Sequence, residues 1–140
     1  MKVLTVWQPW AQLLADGTKG IETRCWSTNY RGPVLIHAAH KHIVERYPIK
    51  TLQYFEAAGV VCEGLPLGAI IGRANLVECI QMDREYCVLM KKCNPIEYVF
   101  GDFRPGRYAW VMKDAVLFDK PIPAKGKQRL WNWQGELECL

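Results

Sequence analysis

The sequence predicts an α+β fold: a small, partly open, mainly antiparallel β-barrel flanked by helices. Two features of the pattern point there. The strand-like stretches are short and interrupted by helical ones, and no regular βαβ alternation runs through them. Size agrees, since 140 residues, half of them hydrophobic, can bury a sizeable core. Residues 1–140 are therefore expected to form a single domain.

Lys2 to Val6 alternates and reads as a first strand. Pro9 near a helix start, with Trp10, Leu13 and Leu14 as the apolar set, marks a short helix. It closes at Gly17, where only glycine takes the left-handed cap without steric cost. Gly20 to Trp26 follows as a strand, Tyr30-Arg31-Gly32-Pro33 as a turn, and Val34 to Ala39 as another strand. From Lys41 the pattern is helical, broken and restarted at Pro48, with Ile49, Leu52 and Phe55 toward the core and Gly59 as the stop.

Leu67 to Gln81 is the longest expected strand. Ile70, Gly72, Ala74, Leu76, Glu78 and Ile80 share one face, so Glu78 points inward and needs a partner unless a bulge at Gly68 or Gly72 redirects it. Lys19 and Arg24 are the expected cations, with a surface bridge to Arg73 or Arg107 as the alternative. Asp83 caps a helix ending near Lys91-Lys92, whose charges suit the helix dipole. Arg107 to Phe118 is a strand or hairpin, Pro121-Ile122-Pro123 and Gly126 are loop, and Trp131-Asn132-Trp133 closes the fold.

The net charge of +4 is mild but uneven. Lys120, Lys125, Lys127 and Arg129 fall together with no acidic residue between Lys120 and Gln134, a pattern that attracts polyanions and is also common on solvated edges. Trp131 and Trp133 beside them are the expected exposed stacking residues. No signal peptide is read at the start, and no cysteine pair among the six has C-x-x-C spacing. Reduced cysteines, with Cys25, Cys62, Cys79 and Cys87 among apolar residues, and a cytoplasmic location are expected. No apolar run approaches the roughly 18 residues of a membrane span. His37, His40 and His42 lack further ligands at zinc spacing, so neither a metal nor a cofactor is expected.

The richest segment is Gly17-Thr18-Lys19-Gly20-Ile21-Glu22-Thr23-Arg24, just after Trp7-Gln8-Pro9-Trp10. On a strand, Glu22, Arg24 and Trp26 share one face. The expected ligand site gathers Gln8, Trp10, Lys19, Glu22, Arg24, Arg107 and Tyr108, with Glu78 joining from the long strand. Its chemistry suits a nucleotide: Lys19 and Arg24 for phosphate, Arg107 for a phosphate or base edge, Trp10 or Tyr108 for stacking, and Glu22 to orient a cation or accept from a base amino group.

The spacing Gly-x-Lys-x-x-Glu-x-Arg resembles the signature of the ASCH domain family. So do Gln8-Pro9-Trp10, Tyr30-Arg31-Gly32-Pro33, Ile36-His37-Ala38, Leu65-Pro66-Leu67-Gly68 and Pro105-Gly106-Arg107-Tyr108-Ala109-Trp110 in that order. The resemblance implies a PUA-like fold and binding of RNA, a nucleotide or a modified nucleoside. Some relatives deacylate a modified cytidine with a lysine, a threonine and a glutamate, and another branch has been proposed to cut RNA. They imply an alternative: a small metal-independent hydrolase, an acylated-nucleoside amidohydrolase or ribonuclease, using Lys19 and Glu78. The position of the threonine nucleophile corresponds to Glu22 here, with Thr18 and Thr23 as neighbours. A third reading is a structural or protein-interaction module, in which Glu22 and Arg24 pair internally and leave no open polar pocket.

Overall fold

A computed structural model describes residues 1–41 and 49–137. Its elements are β1 (Lys2–Val6), α1 (Trp10–Asp16), β2 (Ile21–Arg24), β3 (Gly32–Ala38), α2 (Ile49–Ala57), β4 (Ala69–Gln81), α3 (Arg84–Cys93), α4 (Pro95–Val99), β5 (Tyr108–Pro123) and β6 (Leu130–Asn132). The fold is α+β and PUA-like. Among the described residues six strands form one sheet in the order β2-β5-β4-β3-β1-β6, curled into a half-barrel with helices flanking it. β1 runs parallel to β3 and every other pairing is antiparallel.

The curl comes from the long central strands. The β4–β5 ladder shifts register between Ile70 and Gly72, Arg73 and Asn75, and Leu76 and Glu78, and each such irregularity bends and twists the pair. α1 closes the inside of the curve, burying Ala11, Leu14 and Ala15 with Leu4, Ile36, Leu76 and Trp110. Gly17 ends α1 at φ 83°, the left-handed cap expected of it. Asp83 caps α3 by accepting from the Tyr86 amide at 2.7 Å, and Lys91 and Lys92 lie in its last turn.

Several expectations are corrected. Glu78 is exposed, because the shift between Leu76 and Glu78 falls after the apolar row and takes the carboxylate out of it. β5 runs through Pro121 and Pro123, which were expected in a loop. Beyond Val111 it pairs with β4 alone, so a proline facing its open side costs no ladder bond. α4 was not expected at all. Ile49 is exposed while Phe55 is fully buried, and the break expected around residues 42–48, with His42, lies outside the described residues. Trp131 is buried rather than exposed, and Cys25 is exposed rather than packed. Among the described residues no helix is long and apolar enough to cross a membrane.

Candidate functional site

The motif splits into two halves with different surroundings. Lys19 is only 2% exposed, and its ammonium donates to the Ile21 carbonyl and, at 2.9 Å, to Glu97 on α4. The same carboxylate accepts the Gly20 and Ile21 amides at 3.0 and 2.9 Å. One buried carboxylate thus neutralises a buried cation and satisfies two backbone donors at the entry to β2, so Lys19 and Glu97 fasten α4 to that strand. This corrects the expected place of Lys19 in an open cleft, and its carboxylate partner is Glu97, not Glu78. Lys19 enclosed and Glu78 exposed do not make the expected acid/base pair.

Glu22 and Arg24 do share a face, as the period of two requires. Glu22 Oε2 accepts from Arg24 at 2.8 and 3.1 Å, and its Oε1 accepts the Thr23 amide at 3.2 Å. Arg24 also donates to the Thr5 carbonyl at 2.9 Å, so its guanidinium bridges β2 to β1 across the mouth of the barrel. Thr23 reaches the loop before β5, where its hydroxyl accepts the Asp102 amide at 3.0 Å. Arg107 donates to the Asp102 carbonyl at 3.1 Å and to the Thr23 carbonyl at 3.4 Å, and lies 3.5 Å from the Asp102 carboxylate.

These groups line an open cleft of about 480 Å³, bounded by Thr5 and Val6 of β1, Trp7, Trp10, Glu22, Thr23, Arg24, Asp102 and Arg107. Trp10 is set there by a 2.7 Å bond from its indole to the Phe100 carbonyl and by edge-on packing with Phe55. The cleft presents guanidinium donors and carboxylate acceptors within one concavity, with Trp10 in its wall. It is close to charge balance, with Glu22 against Arg24 and Asp102 against Arg107 and the exposed Arg104.

Of the expected ligand residues, Trp10, Glu22, Arg24 and Arg107 come together here. Gln8 does not: it is buried, donates to the Pro66 carbonyl at 3.0 Å and accepts the Gln12 amide at 2.9 Å, holding the start of α1. Tyr108 packs at the edge of the main core, paired across the ladder with Arg24. Sequence reading missed Thr5, Trp7 and Asp102. Trp7 had the clearest signal, a large aromatic directly after a strand and two residues before Pro9.

Behind the cleft, His37 is fully buried, and its environment dictates its tautomer. The Ala124 carbonyl can only accept, so Nε2 donates to it at 2.7 Å. Nδ1, 3.2 Å from the Thr5 hydroxyl, then accepts, and the Trp131 indole donates to that hydroxyl at 3.0 Å. Burial pushes the imidazole below its ordinary range, against a smaller opposing effect of the Ala124 bond. Among the described residues no group of three or more His, Cys, Asp or Glu side chains is placed to hold a metal.

The chain belongs to the ASCH domain family, whose sequence model matches residues 4–121. It is 27% identical over 139 residues to activating signal cointegrator 1 of Homo sapiens and 22% identical over 145 residues to that of Mus musculus. Each alignment covers 96% of this chain, which spans only 22% of the length of those curated relatives. In structure it is similar to ASCH from Zymomonas mobilis, with a TM-score of 0.61 at 16% identity over 95% of this chain and 87% of that one. A serine-to-alanine mutant of the Zymomonas mobilis protein gives a TM-score of 0.60 at 16% identity, covering 95% and 88% of the two chains.

Proposed function

We propose that this ASCH domain binds single-stranded RNA, taking an unpaired or modified base into the cleft formed by β1, β2 and the loop before β5. The observation that carries the reading is the pair of guanidiniums in one open cleft beside Trp10, Arg24 held by the Glu22 carboxylate and Arg107 by the Asp102 and Thr23 carbonyls. A charge-balanced cleft of this kind suits a base edge, which needs donors and acceptors together, better than a bare phosphate. Arg107 and Arg24 donate to base acceptors, Glu22 and Asp102 accept from base amino groups, and Trp10 walls the cleft beside them. The open cleft also speaks against a purely structural module, although Gly17, Lys19 and Gln8 are spent on the fold.

Titrating a fluorescent single-stranded oligonucleotide against Arg24→Ala and Arg107→Ala tests this. Each variant is expected to bind about tenfold more weakly, near the low end of what a good bidentate contact to a base contributes. Unchanged affinity in both, with circular dichroism showing an intact fold, would overturn the reading.

A further inference from the structure

We infer that the cleft is one end of a longer site, in which a single strand crosses the exposed face of Trp7 and lays its backbone in a basic trough along residues 124–129. The inference rests on the reading above and specifies the ligand as a chain of more than one nucleotide, not a free nucleoside.

The surfaces are continuous. A second depression of about 690 Å³ shares Thr5 and Trp7 with the cleft and runs on over His40, Lys41, Lys125 and Lys127. A third, of about 410 Å³, again shares Thr5 and Trp7 and joins Arg24 to Lys127 and Arg129. Trp7 stands where all three meet, 54% exposed, and it alone of the six tryptophans is an exposed residue. With about half of its surface in water at the junction of these hollows, the indole has the form of a platform for a base.

The hollows differ in charge. The cleft sets two carboxylates against its two guanidiniums, whereas neither of the other depressions has a carboxylate in its described lining. Base edges suit the first and phosphates the others.

The basic loop is also built rather than merely solvated. Ala124 donates to the Gly68 carbonyl at 3.1 Å and accepts from buried His37. A Cβ on Gly126 would fall 2.6 Å from the His37 ring and 3.1 Å from the Thr5 hydroxyl, so only glycine lets the loop sit this close to β1 and β3. Arg129 lies over the Trp26 ring at 4.9 Å, and Lys127 approaches the Trp131 ring at 6.0 Å. These contacts, weak at an exposed side chain, bias the two cations toward the ring faces before a ligand arrives.

Hexauridylate and uridine 5′-monophosphate, titrated at several salt concentrations against the full chain, give the test. Trp7→Ala is expected to weaken hexauridylate binding about tenfold, the scale of one lost base stack, and Trp7→Phe to restore most of it. Lys125→Ala/Lys127→Ala should reduce the log–log salt slope by about 1.4, at roughly 0.7 for each phosphate contact of a single strand, and leave the monophosphate unaffected. Wild-type affinity and slope in these variants, while Arg24→Ala still loses binding, would overturn the extension and leave the cleft standing. A wild-type chain that binds neither probe would overturn both.

Discussion

Removing the Glu97 carboxylate is the perturbation whose cost the geometry fixes most closely. In Glu97→Gln the Lys19 ammonium, 1% exposed, loses its counterion, and the Gly20 and Ile21 amides compete for a single amide oxygen. Breaking one side of a buried pair costs about 3–5 kcal/mol, because the surviving charge cannot regain its water. For a domain of 140 residues each kcal/mol lowers the melting midpoint by roughly 4 °C, so a loss of about 12–20 °C is expected. Lys19→Met should cost less, since the carboxylate keeps both backbone donors. The double variant Lys19→Met/Glu97→Gln should recover at least about 2 kcal/mol of the sum, as replacing both charges removes the uncompensated one. Thermal and urea unfolding followed by circular dichroism give the three values. A Glu97→Gln protein within about 1 kcal/mol of wild type, or strict additivity in the double variant, would refute the structural assignment of Lys19, since a solvated surface pair is worth no more than that.

Other outcomes follow from the same contacts. If Arg107 reads a base edge, homopolymer affinities should differ in the wild type and converge in Arg107→Ala, as measured by competition titration. His37 has a folded-state pKa below its unfolded value. The unfolded chain therefore binds more protons as pH falls below about 6.5, and stability should decline from there, whereas His37→Gln should flatten that decline in urea melts at successive pH values. Gly126→Ala should lower stability by about 1–3 kcal/mol through overpacking against His37 and Thr5, measurable by thermal unfolding, while Lys125→Ala on the exposed side of the same loop should leave it unchanged.

Features governed by local chemistry were legible in the sequence. The Gly17 cap, the Asp83 cap and the shared face of Glu22 and Arg24 each depend on residues a few positions apart. Legibility failed where the cause lay far along the chain or in a single inserted residue. Glu97 sits on a five-residue helix too short to show periodicity, and its partner Lys19 lies 78 positions away. One register shift before Glu78 inverted the expected orientation of that side chain, because a slip of one residue exchanges the faces of a strand. Motif spacing likewise could not separate Lys19, which fastens the barrel, from Arg24, which lines the cleft: the two differ only in which later segment packs over them.

Amide chemical-shift mapping with hexauridylate locates the ligand, which is expected in the cleft at the mouth of the barrel. Saturable shifts are expected at Thr5, Trp7, Thr23, Arg24, Asp102 and Arg107, continuing into Lys125 and Lys127, with Val88 and Leu89 on the exposed face of α3 unmoved. Shifts centred on α3, or none at any concentration of the oligonucleotide, would contradict that placement.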